Sequence, residues 1–144
     1  MRALLDINVL ISLFDPDHAF HSRAHDWWAA HQRQGWASCP LTENGLVRIM
    51  TSPAYSKEMH LNPAEMITRL RTFVEQGNHQ FWPDDISLRE KTVFKSERIH
   101  GFRQITGLYL LALAPKHHGR LATFDTNIPV SAIPGASPSN LCSI

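Results

Sequence analysis

Short apolar runs that stop at a polar or acidic residue alternate along this chain with longer stretches whose apolar positions recur every three or four residues. Met1 to Leu5 is such a run, closed by Asp6, and it predicts a buried strand that presents an acid at its carboxyl end. A helix is expected to open at Asn8 and to run to Phe14, ended by Asp15-Pro16-Asp17. His21 to Gln34 carries Ala24, Trp27, Trp28 and His31 at helical spacing, with Gly35 as the stop. Trp36 to Cys39 predicts a second strand before Pro40. Thr42 is placed to cap a helix carrying Glu43, Leu46, Val47, Ile49 and Met50, with Pro53 beyond its end. Asn62-Pro63 predicts another helix start, running through Leu70 and Phe73 to Gly77. His79 to Trp82 reads as a third strand, and Asp84-Asp85 as the start of the next helix. Ile105 to His117 is the most apolar helix, with Pro115 expected to kink it or end its regular part and Gly119 near its close. Leu121 to Phe124 is then a strand ending at Asp125. Ile133 to Asn140, with Pro134, Gly135 and Pro138, reads as a loop.

Strands alternating with helices in this way predict an α/β fold with a mainly parallel central sheet. At 144 residues with 43% hydrophobic composition, the chain suits one domain over 1–144 with a substantial core. No stretch reaches the roughly 20 apolar residues of a membrane helix, and no signal-peptide pattern opens the chain, so a soluble cytoplasmic protein is expected. Cys39 and Cys142 lack the spacing of a zinc site or a disulfide framework and read as reduced core thiols. A net charge of +1 argues against a stable sequence-reading DNA binder, yet leaves room for a nuclease that needs only a local basic rim and metal ions.

The candidate chemistry lies in the acids. Open α/β sheets bind ligands at the carboxyl ends of their strands, which is where Asp6 and Asp125 fall. Glu43, at a helix start, is positioned to approach them from the side. Carboxylates gathered in this way repel unless a cation lies between them, and oxygen-only ligands favour Mg²⁺ or Mn²⁺ over zinc. Each acid also has a plainer role open to it: Asp6 as a helix cap, Glu43 as a partner of a helix dipole, Asp125 as a turn residue. His21 and His25, one helical turn apart, are a weak metal pair without a third ligand. The four tryptophans fit core or dimer packing better than base stacking.

Three segments together resemble the PIN-domain ribonucleases, and among them the VapC-type toxins of bacterial toxin–antitoxin pairs. They are Leu4-Leu5-Asp6-Ile7-Asn8-Val9-Leu10, then Leu41-Thr42-Glu43-Asn44-Gly45-Leu46-Val47-Arg48-Ile49-Met50-Thr51-Ser52-Pro53, then Arg103-Gln104-Ile105-Thr106 onward to Thr123-Phe124-Asp125. The resemblance covers nearly the whole chain. It implies a three-layer PIN fold and a Mg²⁺- or Mn²⁺-dependent endoribonuclease acting on RNA, usually a homodimer restrained by a cognate antitoxin. Asp6, Glu43 and Asp125 match three of the family's acidic positions, which implies that they hold the metal and carry the chemistry. Asn8 and Thr123 match supporting polar positions, and Asn127 stands where some relatives are acidic. Arg103, one helical turn before position 107, is the candidate for holding a substrate phosphate.

This sequence departs from the family pattern at Gly107, where the residue after Thr106 is expected to be an aspartate. Loss of one carboxylate weakens a site for Mg²⁺, which prefers octahedral oxygen ligation but keeps waters readily. The expectation is therefore an impaired ribonuclease. The alternative is a catalytically silent module that binds antitoxin or RNA without cleaving. A phospho-acceptor receiver domain would need a lysine at the end of a late strand, and none follows Asp125.

Overall fold

Buried residues on the central strands alternate between two apolar layers. Leu4 of β1 (Ala3–Leu5), Ala37 of β2 (Trp36–Ser38) and Leu121 of β4 (Arg120–Thr123) face one layer. Ala3, Leu5, Trp36 and Ala122 face the other. Each side of the pleat is therefore covered, which is why these strands read as continuous apolar runs. The structure, a computed structural model, describes residues 1–55, 58 and 60–144. The first layer is built chiefly from α5 (Ile105–Lys116); the second from α1 (Ile7–Phe14), α2 (His21–His31), α3 (Pro40–Met50) and α4 (Pro63–Glu75).

All five strands are parallel, in the order β3-β2-β1-β4-β5, with β3 at His79–Phe81 and β5 at Leu141–Ser143. The chain winds outward from β1 in one direction through β2 and β3, and in the other through β4 and β5. The boundary between β1 and β4, in register at Leu4↔Leu121 and Leu5↔Ala122, is thus a topological switch point. In such sheets the diverging loops leave a crevice at the carboxyl ends of the strands.

The α5 helix packs against β4 and β1, the two strands that flank that crevice. Its segment from Gly107 to Ala114 is buried except at Tyr109, and Pro115 falls in its last turn, so the helix ends rather than kinks there. His118 then adopts a left-handed conformation (φ 54°), and the Gly119 amide donates to the Ala114 carbonyl at 2.8 Å. Glycine is required at 119 because a Cβ would stand 2.7 Å from the Arg2 carbonyl and 2.6 Å from the Trp82 ring.

Several local expectations hold, and others are revised. Asn62 caps α4 through the Glu65 amide at 2.9 Å. The α3 helix starts earlier than Thr42: Cys39 is its cap residue, and Thr42, in the first turn, accepts from the Cys39 amide at 3.0 Å. No helix starts at Asp84-Asp85. The Asp84 carboxylate instead accepts from the Leu41 amide at 2.9 Å, capping α3 across the chain, and Asp85 pairs with Lys116 at 2.8 Å. The loop after Ile133 contains a 3₁₀ turn, Pro138–Asn140, that leads into the unanticipated edge strand β5.

Trp36 and Trp82 are core residues, and Trp28, Trp36 and Phe73 form one aromatic cluster with centroids 4.9 to 5.9 Å apart. The His21 and His25 rings engage the Ser12 and Leu13 carbonyls of α1, at 2.8 and 3.1 Å, and so tie α2 to α1. Among the described residues no helix is long and apolar enough to cross a membrane.

Candidate active site

Asp6 follows β1 directly. Its amide extends the ladder to the Ala122 carbonyl at 3.0 Å, and its Oδ1 caps α1 by accepting from the Ile7 amide at 2.7 Å. The other carboxylate oxygen, Oδ2, accepts from the Thr123 hydroxyl at 2.6 Å. That hydroxyl is fully used: it also accepts from the Asp125 amide at 3.0 Å and from Asn8 Nδ2 at 3.4 Å. Asn8 Oδ1 in turn accepts from the Phe124 amide at 3.3 Å, and Asp125 Oδ1 accepts from the Asn127 amide at 2.8 Å. Thr123 thereby fixes the two strand ends relative to one another, and Asn8 braces the joint. Cap and turn are real roles for Asp6 and Asp125, but both leave oxygen lone pairs free.

Asp6 is only 8% exposed. Burial pushes its carboxyl above the usual range, and the neighbouring Asp125 charge pushes the same way; the Thr123 hydroxyl and Ile7 amide offset part of this. A desolvated carboxylate beside a second one is the electrostatic arrangement that a divalent cation relieves, and its donors are the hard oxygens that Mg²⁺ and Mn²⁺ take. The residues present fit such an ion.

Glu43 lies in the first turn of α3, and its Oε1 accepts from the Ser38 hydroxyl at 2.7 Å. Ser38, the fully buried last residue of β2, is also 2.7 Å from His79 Nε2. Because the single hydroxyl proton goes to Glu43, the His79 Nε2 must carry hydrogen and donate to Ser38. Burial, then the Arg2 charge, lower the His79 pKa, which keeps this ring neutral near pH 7. The result is a hydrogen-bond chain from His79 through Ser38 to Glu43. Sequence reasoning missed it, since 41 residues separate Ser38 from His79.

Asp6 and Asp125 are therefore brought together, whereas Glu43 stands at the end of the adjoining strand, held by Ser38. Among the described residues no three His, Cys, Asp or Glu side chains are close enough to form a ready-made metal cage. Gly107 is buried and faces the acids: a Cβ built on it would lie 3.8 Å from Asp125 Oδ2. That Cβ would also meet Ile128 Cδ1 at 2.9 Å and Cγ1 at 3.1 Å, so an aliphatic side chain borders the vacant position. Arg103 is exposed on the 3₁₀ turn Phe102–Gln104, with its guanidinium 5.5 Å from the Phe102 ring centroid. Asn127 is exposed and reaches the site through its main-chain amide.

A parallel sheet with acids at its switch point, enclosed between helical layers, defines a class of α/β protein whose site lies at the strand ends. Within that class, the family model described as PIN domain matches residues 3–133. The chain is 41% identical over 144 residues to Ribonuclease VapC44 of Mycobacterium tuberculosis, covering 100% of both. It is 38% identical over 135 residues to Ribonuclease VapC39 of the same organism, covering 94% of this chain and 96% of that one. The fold is similar to that in a crystal structure of VapBC2 from Rickettsia felis bound to a promoter DNA fragment. There the TM-score is 0.59 at 13% identity, covering 100% of this chain and 99% of the other. The chain belongs to the PIN-domain family, among its VapC-type members.

Proposed function

We propose that this chain is a Mg²⁺- or Mn²⁺-dependent endoribonuclease, the toxin of a cytoplasmic toxin–antitoxin pair, whose activity is weakened by Gly107. The observation that carries this reading is the Thr123 hydroxyl joining Asp6 to Asp125 at the switch point of the sheet. The names of the full-length relatives support RNA as the substrate. The Rickettsia complex supports an antitoxin as partner, and a homodimer follows from the family resemblance.

Asp6 and Asp125 would hold the cation, and Glu43 would either join them or orient the attacking water. When bound, the ion makes a water more acidic and stabilises the charge that develops on the phosphate during in-line displacement. Thr123 favours the ionised form of Asp6 by donating to it, and Asn8 fixes the strand end that carries Asp125. Asn127 holds the Asp125 carboxylate through its amide. Arg103 takes a phosphate oxygen of the substrate from the exposed rim. No side chain serves as a nucleophile.

A second reading, a silent module that captures antitoxin or RNA, is favoured by the aliphatic Ile128 at the place where the fourth acid would extend. Cleavage of a labelled RNA with Mn²⁺ by the parent chain and by Asp6→Asn separates the two. Cleavage that vanishes in the variant supports the enzyme. Equal cleavage in both would remove Asp6 from the mechanism, and none in either, with Mn²⁺ still bound by the parent, would leave the silent module.

A further inference from the structure

His79 and Ser38 share one face of the sheet. In the parallel pairing of β2 with β3, His79 stands opposite Trp36 and Phe81 opposite Ser38, so the imidazole reaches Ser38 by leaning one pleat repeat toward the carboxyl ends of the strands. The ring packs on Trp36, with centroids 4.4 Å apart and 56° between planes. Ser38 is the one side-chain hydrogen-bond partner of this half-buried ring among the described residues.

The geometry favours one arrangement of hydrogens. Ser38 Oγ lies 2.7 Å from both Glu43 Oε1 and His79 Nε2, and it carries a single hydrogen. An imidazole protonated only at Nδ1 would accept at Nε2 and draw that hydrogen away, leaving the Ser38 oxygen and a Glu43 carboxylate oxygen facing one another at 2.7 Å. With hydrogen on Nε2, Ser38 gives its own to Glu43, and both short contacts are hydrogen bonds. Glu43 is then held by Oε1, while Oε2 has no partner among the described residues and is the oxygen available to a water or a cation. Without the histidine N–H, nothing aims the Ser38 hydrogen, and the rotamer of Glu43 loses the bond that fixes it.

We infer that His79 is a positioning residue for RNA hydrolysis: from the edge strand its Nε2–H aims the Ser38 hydroxyl and, through it, orients Glu43. This role rests on the ribonuclease reading and extends the working parts of the site to a strand that carries none of the acids. Two substitutions separate aiming from packing. His79→Phe keeps an aromatic ring against Trp36 but has no N–H, whereas His79→Gln keeps an amide N–H at comparable reach. In Mn²⁺-dependent cleavage of a labelled RNA, His79→Phe should lower kcat about tenfold, the low end of the loss on removing an outer partner at a metal site, with KM within about twofold of the parent. His79→Gln should recover most of the rate. In metal-free protein, nitrogen-15 NMR should find the parent His79 ring protonated at Nε2. The carbon-13 signal of the Glu43 carboxyl should move in His79→Phe in the direction set by Ser38→Ala, and less in His79→Gln. Thermal melts identify any variant that has unfolded; if phenylalanine is not tolerated, the ring protonation of the parent and the glutamine variant still decide. A ring protonated at Nδ1 alone, an unmoved Glu43 signal or a parental kcat in folded His79→Phe, or equal losses in the phenylalanine and glutamine variants would each overturn the role. A parent that cleaves no RNA sinks the ribonuclease reading alone, because the ring protonation and the Glu43 signal still show whether His79 orients Glu43.

Discussion

Ile128 borders the space that a side chain at Gly107 would enter, with its Cδ1 2.9 Å and its Cγ1 3.1 Å from the position of a Cβ there. The departure from the family pattern is therefore not a single missing group. Ile128 is part of the buried layer on that side of the sheet.

Restoring the acid alone should consequently carry a packing cost. Gly107→Asp requires the end of the Ile128 side chain to shift and should destabilise the protein by about 1 kcal/mol, the low end of the range for overpacking. Adding Ile128→Val removes the nearest carbon and should recover part of that loss. Because changes beyond the direct ligands already shift metal affinity by 10–100-fold in other sites, the double variant should bind Mn²⁺ about tenfold or more tightly than the parent. Urea melts and calorimetric Mn²⁺ titration check both halves. If the single variant proves as stable as the parent, Ile128 is not the obstacle described.

Asp6 gives a pH signature with a definite sign. Its folded pKa is raised above 3.8, so the folded state favours the protonated acid, and the metal-free protein loses stability as pH rises from about 3.8 through the folded value. Asp6→Asn removes that penalty and keeps an oxygen for the Ile7 amide, so the metal-free variant should melt higher than the parent at pH 7. Mn²⁺ should raise the melting temperature of the parent but not of the variant. A variant that melts lower than the parent at pH 7 without metal would show that the Thr123 bond outweighs desolvation.

The His79–Ser38–Glu43 chain predicts an asymmetry between two substitutions. Ser38→Ala leaves a half-buried histidine N–H and a half-buried carboxylate oxygen without their partner, which should cost about 1 kcal/mol in chemical denaturation. Glu43→Gln still offers an oxygen to Ser38 and should stay within roughly 0.5 kcal/mol of the parent. Similar losses in both would mean that the negative charge of Glu43, not the hydroxyl, holds this corner together.

The layered sheet was legible because its strands are buried on both faces and end in acids, as at Leu4-Leu5-Asp6 and Leu121 to Asp125. Caps written into adjacent residues, such as Asn62-Pro63, were legible for the same local reason. What escaped depended on distant partners. Asp84 looked like a helix start, but its carboxylate is used by α3. β5 is three residues long, nowhere fully buried, and stabilised by pairing to β4 rather than by its own pattern. At the site, Asp6 and Asp125 could be named from strand ends alone, whereas the hydroxyl of Ser38 and the bulk of Ile128 become visible only when the strands lie side by side.

The shared cation of Asp6 and Asp125 is the central claim, and isothermal titration of Mn²⁺ into the parent chain, Asp6→Asn and Asp125→Asn tests it most directly. A binding isotherm is expected in the parent and its loss in each variant, with both variants folded. Mn²⁺ uptake of unchanged affinity and stoichiometry in either variant would contradict it.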